Sequence, residues 1–232
     1  MKKKHSNGYR HELKYYLNSG DYVLLSNLLK NTLKSDDNTN EKGEYFIRSL
    51  YFDDYEDSAL RDKIDGVDHR YKVRIRTYNY SDAVIKLECK HKESGYIKKQ
   101  SISLSRAECD ALTGGDYRFL LYRKEAFARE MFTLFATRHL RPAVIVDYTR
   151  EAYVFPVENV RITFDKNIRT GYRSFDIFDR ELPTYPAADE YDMVLEVKFN
   201  EYLPTFVRSL IQTASHMRSA ISKYVLSRKY EL

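Results

Sequence analysis

Lys72-Val73-Arg74-Ile75-Arg76-Thr77-Tyr78 and Ile85-Lys86-Leu87-Glu88-Cys89-Lys90 alternate charged and apolar side chains with a period of two. Successive side chains on a strand point to opposite sides, so each stretch reads as a strand with one charged and one apolar face. The same division recurs elsewhere. Arg10, Glu12, Lys14 and Tyr16 oppose Leu13, Tyr15 and Leu17; Arg161, Thr163 and Asp165 oppose Val160, Ile162 and Phe164; Glu196 and Lys198 oppose Leu195, Val197 and Phe199. This periodicity predicts strands over 9–17, 44–53, 68–78, 83–91, 96–104, 141–155, 159–167 and 191–200. Helical spacing predicts helices over 21–33, 123–137, 203–214 and 216–229, with Pro204 near the start of the third, where proline is tolerated. Ser105 reads as the N-cap of a further short helix that stops at Gly114 and Gly115.

These elements define an α+β chain, and two arrangements fit them. In an ordinary antiparallel sheet the charged face would meet water. Two features argue for the reverse. Cations dominate the charged faces, with Glu12, Glu88 and Glu196 as isolated carboxylates among them, and the helices carry apolar stripes that need an apolar sheet face to cover. The expected architecture is therefore a closed antiparallel β-barrel, a tunnel of about eight strands with helices packed outside. The chain has 232 residues, 43% of them hydrophobic, which excludes a disordered or collagen-like class and suits one domain over 1–232, with residues 1–8 flexible. The net charge of +5 is too small to imply a nucleic-acid tail. Exposed basic patches with stacking aromatics are likewise missing as a unit, so nucleic acid is not an expected partner. No apolar run approaches the roughly 20 residues of a membrane span, and Cys89 and Cys109 are too few for a disulfide framework. A cytoplasmic protein without a membrane span is expected, and nothing in the sequence specifies an oligomeric state.

A barrel interior filled with Lys and Arg requires an anion, because unpaired buried charges cost several kcal/mol each. Guanidinium forks and ammonium groups suit phosphate oxygens, and scattered carboxylates suit Mg²⁺ or Mn²⁺ bridging protein and phosphate. Other residues read as structural. His5, His11, His69, His91, His139 and His216 lack ligand spacing, and Gly114-Gly115 lacks the Lys-Ser or Lys-Thr of a phosphate loop. Asp53 and Asp54 read as a turn rather than metal ligands. Tyr51 and Tyr78 are candidates to bond phosphate from the lining.

The segment Arg10-His11-Glu12-Leu13-Lys14 resembles the opening ExExK signature of the CYTH, or triphosphate tunnel metalloenzyme, superfamily, with Arg in place of the first Glu. Together with Ser49-Leu-Tyr-Phe-Asp53, Lys72 to Tyr78, Leu87-Glu-Cys-Lys90 and Ser222-Lys-Tyr224, it is similar to the VTC branch, the catalytic domain of vacuolar transporter chaperone polyphosphate polymerase. The resemblance implies a tunnel in which the γ-phosphate of ATP is added to polyphosphate with Mn²⁺ or Mg²⁺. It implies Arg74, Arg76, Lys90 and Arg161 as catalytic residues. Phosphate binding falls to Lys14, Lys98, Lys198, Ser222, Lys223, Arg10 and Arg150, and Glu196 is the principal metal ligand beside Glu12 and Glu88. Lys98 adjoins Lys99, and a one-residue slip exchanges their faces. The chain departs from the fungal proteins in carrying no phosphate-sensing SPX domain and no membrane helices, and in having Ala220 where a further basic residue is expected.

Three functions follow from these residues: a polyphosphate polymerase, a triphosphatase of the same fold, and a non-catalytic polyphosphate-binding module. ATP, triphosphate or polyphosphate is the expected partner. Arg10 in place of a carboxylate argues for a longer polyanion than triphosphate. Glu196 argues against a pure binder, which has no need of a metal-holding carboxylate.

Overall fold

The computed structural model describes residues 10–94, 96–171, 174–187, 193–212 and 220–229. The expected flexibility of residues 1–8, the strand starts at Tyr9 and Tyr191, and His5 and His216 fall outside them. Among the described residues ten strands form one antiparallel sheet: β1 (His11–Leu17), β2 (Lys34–Ser35), β3 (Glu44–Asp53), β4 (Arg70–Tyr78), β5 (Ser81–Glu93), β6 (Tyr96–Leu104), β7 (Arg141–Phe155), β8 (Val160–Gly171), β9 (Thr184–Pro186) and β10 (Met193–Phe199). The main path runs β1-β10-β8-β7-β3-β4-β5-β6, with β2 on β7 and β9 on β8. The helices are α1 (Ser19–Thr32), α2 (Ser58–Ile64), α3 (Arg106–Thr113), α4 (Ala126–Arg138), α5 (Thr205–Ile211) and α6 (Lys223–Ser227).

The sheet curls without closing, which corrects the expected barrel. Among the described residues no ladder joins the end strands β1 and β6. Side chains span the gap instead, with Lys90 Nζ of β5 2.6 Å from Glu12 Oε2 of β1. Long cationic side chains on the concave face need room and repel one another, so the curl stops short of backbone contact.

Local chemistry sets the turns and caps. Asn79 and Tyr80 both have left-handed φ and join β4 to β5 in two residues, the conformation that matches strand twist. Contacts offset the strain at Tyr80: its ring stacks on Phe46 at 4.1 Å, and Asn79 Oδ1 accepts from the Phe46 amide at 2.9 Å. Asn18 caps α1, and Ser105 caps α3 as its sequence predicts, closing a capping box with Glu108.

The convex face is apolar. Leu50, Phe52, Val73, Ile75 and Leu87 pack under α3 and α4, while Ile162, Phe164, Leu195 and Val197 pack under α1 and α5. Not all helices lie outside, however. The unpredicted α2 and the last helix α6 join a third cluster with the concave residues Tyr45, Tyr51, Val146 and Tyr148, and Tyr224 of α6 stacks on Tyr51 at 5.0 Å. The predicted helix 216–229 is thus cut back: residues 220–222 are not helical, and α6 begins after Ser222, whose side chain accepts from the Val225 amide. Asp53 anchors this plug. Its carboxylate accepts from the amides of Asp54, Ala59 and Leu60 and from the Tyr224 hydroxyl. The turn reading of Asp53 holds, and it doubles as a helix tether.

On the convex side Arg48 and Asp147 form a buried two-pronged pair at 2.8 Å, and Arg48 also donates to the Asp179 carbonyl. Arg48→Leu is expected to cost about 3–5 kcal/mol by stranding Asp147. The double variant with Asp147→Leu should recover most of that loss, as read by urea unfolding.

Candidate functional site

The concave face encloses a cavity of about 1030 Å³ lined, among the described residues, by fourteen Lys or Arg side chains and three Glu. Strand register builds it. Lys14 lies opposite Glu196 and Glu12 opposite Lys198 across β1 and β10, Arg74 lies opposite Glu88 and Lys72 opposite Lys90 across β4 and β5, and Arg161 lies opposite Lys198 across β8 and β10. A long alternating strand cannot turn one of these cations outward without exposing an apolar neighbour, so the crowding is fixed by the same pattern that builds the core.

The carboxylates divide into separate groups. Glu88 is held by Arg74 at 2.7 Å, Arg76 at 3.5 Å and Lys99. Burial alone would raise its pKa, but these cations, Arg74 and Lys99 first, hold it below the usual range. Glu12 and Glu196 form the second group. Lys14 lies 3.0 Å from Glu12 and 3.8 Å from Glu196, while Lys198 and Arg150 lie 3.2 and 3.6 Å from Glu196. Glu196 is buried, and against that burial Lys198, Lys14 and Arg150 keep it ionised, well below the ordinary range. A third carboxylate, Asp165, takes a fork from Arg150 at 2.6 and 2.8 Å and an ion pair from Lys223.

Glu12 and Glu196 fit a divalent metal: they lie diagonally across the β1–β10 pair with Lys14 shared between them, and Mg²⁺ is commonly held by one or two carboxylates with phosphate oxygens completing its shell. Glu88 does not join them. Among the described residues no three His, Cys, Asp or Glu side chains come together as a ligand group. The expected set of three carboxylates is therefore not brought together, because Glu88 is consumed in neutralising Arg74, Arg76 and Lys99.

The structure brings Lys14, Arg74, Arg76, Lys90, Arg161, Lys198, Ser222, Lys223, Arg10 and Arg150 to this cavity, with Arg10 at its exposed rim. Lys98 is corrected to Lys99. Lys99 pairs across from Lys90 and reaches Glu88, whereas Lys98 pairs with His91 and lies on the other face with Tyr96 and Glu130. Arg150 lies inside, opposite in direction to Asp147. Tyr51 accepts from Arg74 at 2.9 Å and lines the cavity, while Tyr78 packs on Tyr45 beside the apolar plug.

Sequence reading assigned no role to Lys63, Arg70, Lys72 or Lys92, which line the α2 end of the cavity. The parity of Lys72 and Lys92 on their strands carried that signal. Lys63 comes from the unpredicted α2, and nothing in the pattern pointed to it. Burial pushes Lys72 down to about 6, reinforced by Lys14, Lys63, Lys90 and Arg70. Lys90 falls to about 8, burial outweighing Glu12. Two guanidinium nitrogens, Arg76 Nε and Arg161 Nε, are buried with no hydrogen-bond partner among the described residues. These donors are suited to oxyanions.

A curled antiparallel sheet around such a cationic channel defines the triphosphate-tunnel, or CYTH-like, class of fold. The chain belongs to the VTC domain family, whose model matches residues 9–231. Among solved structures it is similar to a putative adenylyl cyclase from Hippeastrum described as having a dominant triphosphatase activity, at 15% identity over 97% of each chain with a TM-score of 0.55. A putative adenylate cyclase from Bacillus halodurans matches at 13% identity over 87% of this chain and 84% of its own, with a TM-score of 0.49. Comparison with curated protein sequences gave no match. No helix among the described residues is long and apolar enough to cross a membrane.

Glu88→Gln removes the shared counter-charge of Arg74, Arg76 and Lys99. A loss of about 1–3 kcal/mol is expected, discounted because Lys99 is half exposed. Millimolar phosphate should restore more of the melting temperature in this variant than in the parent, as read by thermal scans at low salt.

Proposed function

We propose that the protein is a polyphosphate polymerase that transfers the γ-phosphate of ATP to the terminal phosphate of a polyphosphate chain inside this channel. The observation that carries the reading is the fourteen-to-three excess of cations over carboxylates in the cavity, spread from Arg10 and Arg161 to Lys63 and Arg70. That is more positive charge than one triphosphate neutralises, and it extends along the curl rather than around a point. Membership of the VTC domain family supports the same reading.

The chemistry asks for placement and charge neutralisation, not for a covalent step on the protein. The chain-terminal oxygen attacks Pγ, the bond from Pγ to the bridging oxygen breaks, and ADP leaves with the electron pair. Arg74, Arg76 and Arg161 serve as forks for equatorial phosphate oxygens, with the unpartnered Nε donors of Arg76 and Arg161 free for that role. Lys14, Lys90, Lys99 and Lys198 supply point charges along the polyanion. Arg150 and Lys223 are largely satisfied by Asp165 and act by shaping the wall. Mg²⁺ or Mn²⁺ between Glu12 and Glu196 would supply further positive charge to the phosphate oxygens.

A triphosphatase is the second reading, favoured by the activity of the Hippeastrum protein that shares the fold. The two differ only in the acceptor, polyphosphate or water.

The test is incubation with ATP and Mn²⁺, followed by a polyphosphate-stained gel and a free-phosphate assay. Polymer that accumulates in excess of free phosphate is expected; free phosphate alone would assign the triphosphatase. Glu196→Gln is expected to lower turnover by at least about a hundredfold, as loss of one charge-stabilising group does elsewhere, while keeping or raising metal-free triphosphate affinity. Arg74→Ala and Arg76→Ala should weaken both, by about 1.5–3 kcal/mol of binding for each charged hydrogen-bonding group removed.

A further inference from the structure

Lys72 stands apart from the other cations in the channel. Its Nζ lies 2.6 Å from Ser222 Oγ and 5.7 Å from the centre of the Tyr224 ring, and no carboxylate lies within ion-pair distance of it among the described residues. The charged groups that face it are all cations: Lys90 across the β4–β5 pair, Lys14 from β1, Lys63 from α2 and Arg70 on its own strand. The neutral amine is the favoured form of a lysine so placed, since protonation would add a charge to a buried set of like charges. Ser222 is itself buried, yet its side chain borders the cavity, and its position is fixed just before the first turn of α6.

A serine hydroxyl in contact with a neutral lysine is a nucleophile paired with its base. Around this pair stand Lys14, Lys63 and Arg70, which would hold phosphate oxygens close to the hydroxyl. Resting on the polymerase reading above, we infer that Ser222 is a phosphoryl acceptor in its own right, activated by Lys72, and that the protein phosphorylates itself there from a bound nucleoside triphosphate. The Ser222 Oγ–Pγ bond forms, the bond from Pγ to the β,γ-bridging oxygen breaks, and ADP leaves with the electron pair. The hydroxyl proton passes to Lys72 Nζ. The resulting ammonium then pairs with the new phosphomonoester, so the step converts a neutral amine into the counter-ion of its product. A phosphate fixed at Ser222 also presents a terminal oxygen of the kind that chain growth uses, which gives the first transfer an acceptor before any free chain is bound.

The experiment incubates the full chain with ATP and Mn²⁺, quenches in acid over a time course, and maps phosphorylation by tandem mass spectrometry. The tryptic fragment after Arg218 contains both Ser219 and Ser222 and must be sequenced to tell them apart. Polyphosphate is measured on the same samples. Phosphoryl groups on Ser222 are expected in the parent, absent from Ser222→Ala, and reduced by about a hundredfold or more in Lys72→Arg, whose guanidinium stays protonated and cannot serve as the base. An unmodified Ser222 in samples that have made polyphosphate overturns this inference and leaves the polymerase reading standing. An unmodified Ser222 in samples with no polymer overturns both. Equal labelling in Lys72→Arg overturns the role of Lys72, with a thermal scan confirming that the variant is folded.

Discussion

Repulsion among cations held on one face of a curled sheet is the constraint on which the rest of the structure depends. Period-two alternation sends Arg74, Arg76, Lys90, Lys14, Arg161 and Lys198 to the side opposite the core, and curling brings them together. None can escape without a register slip that would expose Val73, Ile75 or Leu87. The protein offsets the repulsion by a few deeply placed carboxylates, each shared among several cations: Glu88 among Arg74, Arg76 and Lys99, and Glu196 among Lys14, Lys198 and Arg150. The remaining excess makes an anion the natural complement of the cavity.

The apolar plug couples that channel to the stability of the fold. Asp53 gathers the Asp54 amide, two backbone amides at the start of α2 and the hydroxyl of Tyr224, while Arg228 ties Tyr224 to Asp57. Ser222 and Lys223, which face the cations, are therefore positioned by interactions on the far side of the same short helix. A residue that looks like turn chemistry in the sequence thus determines where two wall residues stand.

The parity of the long strands made most of the fold and most of the site legible. Wherever charged and apolar residues alternate without interruption, as over Lys72 to Arg76, the face of each side chain followed directly. Legibility failed where alternation breaks or where the partner is remote. Lys98 and Lys99 are adjacent and identical, so nothing local chooses between them; the antiparallel register with β5 does. Closure of the barrel depends on whether β1 meets β6, a question of curvature that no single strand encodes. The short α2 has too few turns to show a period, and the docking of α2 and α6 rests on a contact between Tyr51 and Tyr224 that no local pattern pairs. The separation of Glu88 from Glu12 and Glu196 is likewise tertiary: all three are lone acids on alternating strands, and only assembled geometry shows which cations each one serves.

The central claim is that the concave face is a polyanion site. Titration calorimetry of the parent protein with tripolyphosphate, in the absence of metal and at a series of salt concentrations, tests it most directly. Saturable binding at one site per chain is expected, with affinity that falls steadily as salt rises because several cations share the ligand. The absence of saturable heat at low salt, or an affinity indifferent to salt, would contradict it.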